Sequence, residues 1–363
     1  MADFDFSTII LRTEHPALRA GRDGDIKLLG KTAQAWVAAA AGAACVVIDG
    51  PEAGETENIA DLVRNYLTDS EYTVVLYSDT PLATRRTVLE AVALCAGRKL
   101  NVCRLARGFV FKTDFLRDVP KILSAERFYL SSEEDFIVVS DFKQAAFAAG
   151  ILRLRINDYH MARGVYIVDP AATTIEGGVT IGEGVTIHPG NQLLGETRVG
   201  AGVTLYRDNT LIDCEIGAGC ALTSSVVTES GIGERTTVGP FAYIRLGSLI
   251  GADCRIGDFV EIKKSRVGDG TKISHLAYVG DAEVGRNCNI GCGAVFANYD
   301  GKNKNKTVVG DNVFVGSNCN LIAPLKIGDG AFLAAGSTIT DAVGKGLAIA
   351  RARQVNKPDW KRN

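Results

Sequence analysis

The chain has 363 residues, 46% of them hydrophobic, a formal net charge of -2 and a pI near 6.2. That length allows two domains, or one domain followed by a repeat array, with a buried core. The near-neutral charge balance gives no reason to expect nucleic acid or an anionic membrane surface as a partner. The opening residues, Met1-Ala2-Asp3-Phe4-Asp5, carry neither a basic n-region nor a secretory h-region, so a cytoplasmic location without membrane insertion is expected. The most apolar stretch, Ala35 to Ile48, is too short to span a bilayer. Nine cysteines, scattered with no C-x-x-C pair, read as small buried hydrophobes of a reducing compartment rather than disulfides or zinc ligands.

In chain order, Thr8-Ile9-Ile10-Leu11 reads as a first strand and Ala33 to Ala44 as a helix. Cys45 to Asp49 and Thr73 to Asp79 read as buried strands, and Thr84 to Ala96 as the next helix. Strands alternating with helices predict a parallel sheet over residues 1–140. Asp141 to Met161 predicts a helix, placing a linker at 141–163. From Gly164 an aliphatic residue falls on every sixth position. Ile175, Ile181, Ile187, Leu193, Val199 and Leu205 keep the beat, as do Ile232 to Ile262 and Val309 to Ile339. Glycine often follows, as at Ile181-Gly182 and Val315-Gly316. This is the hexapeptide pattern of a parallel β-helix, expected over 164–343 with a tail at 344–363. Each inward aliphatic residue stacks on its counterpart one coil away, and small residues make the corners.

The beat has interruptions. It slips between Ile262 and Val267 and between Val279 and Val284, which predicts shortened coils. After Phe296 the next beat residue is Val309, and a polar loop with three lysines lies between them. Such a loop is either a solvated excursion or a lid over an anionic ligand. Arg245, Lys263, His275 and Tyr278 stand in the same region. Two cations suit a phosphate, and a histidine suits a proton acceptor near neutral pH.

From Arg153 to Lys357 the chain resembles the bacterial bifunctional glucosamine-1-phosphate N-acetyltransferase/N-acetylglucosamine-1-phosphate uridylyltransferase family. The resemblance is carried by Arg155-Ile156-Asn157-Asp158-Tyr159-His160-Met161, Val238-Gly239-Pro240-Phe241-Ala242, Asp258 to Lys264, Ser274 to Glu283, Asn298-Tyr299-Asp300-Gly301 and Ala348 to Lys357. It implies a left-handed β-helix, a homotrimer with sites between subunits, and acetyl transfer from acetyl-CoA to the amine of glucosamine-1-phosphate, a step of UDP-N-acetylglucosamine synthesis. By the same resemblance His275 is the general base. Arg245 and Lys263 bind the sugar phosphate, Tyr278 and Asn289 the sugar, and Lys304 is delivered across the subunit interface. Asn298 and Tyr299 begin the loop that orients amine and thioester. Cys292, Ser317, Ala335 and Arg351 match acetyl-CoA contacts.

The N-terminal part matches less. Where the family has a glycine-rich L-A-A-G-x-G-T-R-M loop, which would cradle phosphates with backbone N–H groups, this chain has Leu11-Arg12-Thr13-Glu14-His15-Pro16-Ala17-Leu18-Arg19. Tyr77-Ser78-Asp79-Thr80-Pro81-Leu82 matches the family's Y-G-D-x-P-L, whose Asp binds the metal ion; Asp79 is therefore a metal ligand only if uridylyl transfer, with its Mg2+, is retained. Lys27 is placed at the family's basic residue, and Gly108 to Thr113 at a later strand. The expectation is a shortened, degenerate nucleotidyltransferase-like domain with uridylyl transfer lost or weakened. The alternatives are an enzyme that keeps both activities, a non-catalytic trimer binding nucleotide or a partner, and a hexapeptide acyltransferase with another acceptor.

Overall fold

A computed structural model describes residues 4–15, 18, 26–42, 45–50, 59–118, 126–127, 133–358 and 360. Parts of the expected loop (Pro16, Ala17, Arg19) and of the first expected helix (Ala43, Ala44) lie outside the described residues. The chain divides into two compact units, Met1–Arg155 and Ile156–Asn363, and the boundary falls inside a long helix. Among the described residues no helix is long and apolar enough to cross a membrane.

The first unit begins with β1 (Phe6–Arg12), whose unbroken apolar run Ile9-Ile10-Leu11 is buried. A strand buried on both faces reads this way, without alternation. A short antiparallel pair, β2 (Lys27–Leu28) and β3 (Lys31–Thr32), leads into α1 (Ala33–Ala41). Thr32 caps that helix by accepting from the Ala35 N–H. Helix α1 ends three residues before the expected Ala44. The cause is Gly42, which adopts φ +89 and donates its N–H to the Ala38 carbonyl.

Then follow β4 (Cys45–Asp49), α2 (Ile59–Val63), β5 (Tyr72–Tyr77) and α3 (Arg85–Gly97), capped by Thr84. Strand β5 stops at Tyr77, short of the expected Asp79, because Ser78 and Asp79 turn the chain while the Ser78 N–H still donates to the Leu11 carbonyl. After β6 (Val102–Leu105), β7 (Gly108–Lys112), α4 (Thr113–Asp118) and β8 (Glu126–Arg127) comes α5 (Phe142–Met161). The sheet order is β4-β1-β5-β7-β6-β8. Its core β4-β1-β5 is parallel, as expected, and β7 adds an antiparallel strand between β5 and β6.

The second unit is a parallel β-helix whose three faces are sheets of ten, nine and eleven short strands. The first face begins at Thr174–Ile175, the second at Thr180–Ile181, and the third at Tyr166–Ile167 and Thr186–Ile187. The six-residue beat is the inward column of these faces: Ile175 pairs with Leu193, Ile181 with Val199, Ile187 with Leu205. The column stays inside along the whole coil, joining Ile244, Ile262, Val279 and Phe296 in one continuous core. Each such aliphatic side chain contributes roughly 1.5–3 kcal/mol by leaving water. The shortened coils occur where the beat slips, with Ile250 opposite Val267 and Val267 opposite Val284. Buried small polar side chains close the corners; the Asn191 amide donates to the Tyr206 carbonyl at 2.8 Å, and Asn209 bonds Asn191 at 3.0 Å. A strand at Gly346–Ala348 adds a last member to the third face.

Candidate active site

Most third-face strands are two residues long, but Arg255–Asp258 and Lys272–His275 run to four. The two extra positions carry Asp258 and His275 into register on neighbouring coils. Gly257 makes the approach possible, since a Cβ there would fall 1.9 Å from the Ser274 carbonyl oxygen. His275 Nδ1 bonds Asp258 Oδ1, and the ring is about half exposed. Hydrogen bonding from His275 holds the Asp258 carboxyl below the usual carboxylate range. An ionised partner at Nδ1 fixes the proton there and puts the electron pair on Nε2. The pair is therefore built to accept a proton at Nε2.

The first face of the same coils carries the cations. Arg245 is opposite Lys263, which is opposite Gly280; Tyr243 is opposite Glu261, which is opposite Tyr278. Arg245 donates to Glu261 Oε1 through Nη2 at 2.6 Å and Nε at 3.0 Å, and this contact raises its pKa. Lys263 is only 7% exposed. Its Nζ lies 3.3 Å from Asp281 Oδ2, which also accepts from the Asn298 amide at 2.5 Å. The same amide lies 3.4 Å from the Tyr278 hydroxyl. Gly280 leaves room for that phenol, because a Cβ there would stand 2.3 Å from its oxygen. Lys304 reaches Lys263 within the same chain, and this second ammonium pushes the Lys304 pKa down.

The loop at 298–306 is braced rather than simply solvated. Tyr299 bridges to Lys304 as a small antiparallel turn, and the exposed Tyr299 hydroxyl donates to the Gly301 carbonyl at 2.8 Å. Asp300 accepts from the Lys302 and Asn303 N–H groups and from the Asn305 amide, which together lower its pKa.

The remaining predicted positions follow the corner after the third face. The register of Lys272 with Asn289 and Ile273 with Ile290, continued two residues, sets Cys292 one coil beyond His275. The Cys292 carbonyl accepts from the Asn318 N–H at 2.7 Å, and the Ser317 carbonyl from the Gly336 N–H at 2.8 Å. Cys292, Ser317 and Ala335 thus form one edge that leads away from His275. Arg351 lies beside Gly336, where a Cβ would be 3.7 Å from its Cδ. Asn289 points outward between Lys272 and Phe314.

The structure brings Arg245, Lys263, Tyr278, Asn298 and Lys304 together. His275 stands with Asp258 at the end of a third-face strand, and the chain turns the corner at Leu276 before Tyr278 opens the first-face strand that ends at Gly280. Sequence reasoning assigned no role to Asp258, Glu261 or Asp281. A signal existed: Asp258 and His275 each stand two residues after an inward isoleucine, Ile256 and Ile273, one coil apart.

In the first unit, Asp79 is 3% exposed. Arg107 donates to both of its oxygens, at 2.8 Å from Nη2 and 3.3 Å from Nε, and His15 Nε2 lies 3.1 Å from Oδ2. The Arg107 guanidinium also covers the Tyr77 ring at 4.0 Å. A carboxylate so occupied does not fit a divalent ion, and among the described residues no cluster of three His, Cys, Asp or Glu side chains could hold one. Lys27 is exposed on β2. None of the nine cysteines, all among the described residues, is in a disulfide, and seven of them are buried.

Two family models match parts of the chain: the GMPPB C-terminal domain over residues 226–323 and the bacterial transferase hexapeptide (six repeats) over 306–341. Among curated proteins, the chain is 56% identical over 218 residues to the bifunctional protein GlmU of Clostridium novyi (strain NT), covering 60% of this chain and 48% of that protein. It is 52% identical over 228 residues to the bifunctional protein GlmU of Clostridium beijerinckii (strain ATCC 51743 / NCIMB 8052), covering 62% and 50%. The chain spans about half the length of the curated relatives it matches. A solved structure, the Arabidopsis UDP-N-acetylglucosamine acyltransferase, aligns with TM-score 0.32 and 21% identity over 51% of this chain and 70% of that one. The resemblance carried by segments such as Ser274 to Glu283 and Asn298-Tyr299-Asp300-Gly301 is thus matched by similarity to curated proteins described as bifunctional GlmU.

Proposed function

We propose that the β-helix transfers an acetyl group from acetyl-CoA to the amine of glucosamine-1-phosphate. The observation that carries this reading is the His275–Asp258 pair beside two cations on the same coils. His275 Nε2 takes a proton from the amine as its nitrogen attacks the thioester carbonyl. The N–C bond forms, the C–S bond breaks, and the coenzyme leaves as a thiolate. Asp258 orients the ring and balances the imidazolium. Arg245 and Lys263 take the sugar phosphate in exchange for part of their contacts with Glu261 and Asp281. Tyr278, Asn289 and Lys304 complete the acceptor site. The edge of Cys292, Ser317 and Ala335, with Arg351, Asn298 and Tyr299, takes acetyl-CoA.

The active form in this reading is a cytoplasmic homotrimer. Exposed apolar residues at the corner next to His275 support it: the Phe241 and Phe259 rings stack at 5.3 Å, and Leu276 continues the row. The uridylyl transfer implied for a two-activity relative is absent in this reading, because Asp79 is committed to Arg107 and His15. A paired assay on the purified chain tests both statements. Thiol release from acetyl-CoA with glucosamine-1-phosphate is expected, and pyrophosphate release from UTP, Mg2+ and N-acetylglucosamine-1-phosphate is not. Failure of the first, or pyrophosphate release at a comparable rate, overturns the corresponding half.

A further inference from the structure

Helix α5 has two apolar faces, and only one of them is covered. Its inner face, Ala145, Ala148 and Leu152, packs on Leu28, Leu82 and Val139 of the first unit. At about 100° per residue, the opposite face carries Lys143, Phe147, Gly150, Leu154 and Asp158. A helix face turned away from the core is ordinarily polar. Here Phe147 and Leu154 are 56% and 46% exposed, two turns apart on one stripe. Gly150 lies between them. Glycine weakens a helix interior relative to alanine, and packing gives no reason for it, because a Cβ at this position would meet no described atom within 4 Å. Close approach of an element from outside the chain does give a reason.

The order of the residues on this face identifies that element. The steps from Lys143 to Phe147, Gly150 and Leu154 are four, three and four residues, the spacing of a coiled-coil seam. The face is also symmetric about the bond between Gly150 and Ile151. Phe147 stands as far before that bond as Leu154 stands after it, and Lys143 as far before it as Asp158 after it. Lys143 and Asp158 are both exposed. Two copies of α5 laid antiparallel therefore set Phe147 of each copy against Leu154 of the other, over the gap at Gly150. The same register sets each Lys143 ammonium against an Asp158 carboxylate. Such self-complementarity, in which residue i meets j and j meets i, is the signature of a two-fold interface. A parallel pair in register would instead bring like charges together.

We propose that the chain pairs with a second copy of itself through antiparallel packing of the outer faces of α5. The pairing uses no residue of the acetyl-transfer site and does not depend on that reading. Sedimentation of the full chain at high concentration tests it. The unmodified chain should have at least twice the mass of Phe147→Glu and of Gly150→Leu, whatever assembly the coil itself forms. Both variants should keep the parent circular dichroism, since Phe147 is exposed and a side chain at Gly150 meets open space. Lys143→Glu and Asp158→Lys should each raise the dissociation constant on the order of 10-fold, because each brings two like-charged pairs together, and the double variant should restore it. Oxidation of a mixture of Phe147→Cys and Leu154→Cys chains should give a disulfide-linked dimer that neither variant nor the unmodified chain gives alone. Equal masses for the unmodified chain, Phe147→Glu and Gly150→Leu overturn the proposal and leave the face to a different protein. Cross-linking of either cysteine variant alone as strong as that of the mixture overturns the antiparallel register.

Discussion

Among the described residues there are two histidine–aspartate pairs, and their surroundings give them opposite characters. On the β-helix, His275 meets Asp258 through Nδ1, both groups reach solvent, and Nε2 keeps its electron pair for chemistry. In the first unit, His15 meets Asp79 through Nε2, and the carboxylate is buried and held at both oxygens by Arg107. In the proposed reading the same two side chains thus serve as a proton acceptor in one place and a fixed strut in the other. What decides is the ring nitrogen used and the other partners of the carboxylate, not the pair itself.

The sharpest way to break that contrast is to remove the first histidine. His275→Ala should lower acetyl transfer by about 100- to 10,000-fold, the range of a positioned general base. Coenzyme A release measures it, and an unchanged far-ultraviolet spectrum shows the coil intact. Residual activity within a few-fold of the parent would transfer the base role elsewhere. Asp258→Asn should cost on the order of 100-fold, because an amide no longer selects the Nδ1 tautomer. The hydrogen bond from His275 lowers the Asp258 pKa, so its ionised contact is present above the usual carboxylate range and lost only as pH falls through the depressed value. The deficit of the Asn variant should therefore stay constant from about pH 8 to about pH 5. A deficit that disappears near the acid end would show Asp258 titrating in that window.

The sequence made the scaffold legible far more fully than the site. A strict period of six has one physical solution, so it alone places Ile175, Ile244 and Leu333 inward, where they are buried. The slips near Val267 and Val284 were legible for the same reason. The acids were not. Glu261 and Asp281 carry no periodic signal, and their roles arise from partners sixteen to eighteen residues away, Arg245 and Lys263. In the first unit the lost glycines were visible, but Arg107 lies 28 residues from Asp79 and only the β5-β7-β6 pairing brings them together.

Arg107→Ala probes the strut. It leaves a buried carboxylate with His15 alone, so the first unit should lose about 3 kcal/mol, the lower end for breaking a buried pair because Arg107 itself is partly exposed. Urea unfolding followed through the aromatic signal of Tyr77 and Trp36 measures it. On the β-helix, Arg245→Ala should raise KM for glucosamine-1-phosphate on the order of 10- to 100-fold, the worth of one charge-assisted contact. KM for acetyl-CoA should hold steady, since Arg245 lies on the first face and the predicted coenzyme edge on the corner beyond His275. Equal changes in both constants would place Arg245 in the scaffold instead of the phosphate site.

The smallest expected effect belongs to His15→Ala. Asp79 keeps its two contacts with Arg107 at 2.8 and 3.3 Å, so the carboxylate is not left without a counter-ion. What is lost is one hydrogen bond from a side chain about a quarter exposed. Such a bond is worth about 1 kcal/mol net. The first unit should therefore unfold at slightly lower urea with an unchanged slope, and by clearly less than in Arg107→Ala. The order of the two variants is the informative quantity. If His15→Ala destabilises more than Arg107→Ala, the imidazole is the principal partner of Asp79 and the guanidinium only accompanies it. The two histidine–aspartate pairs of the chain would then be alike, and the difference between strut and proton acceptor would have to come from exposure alone.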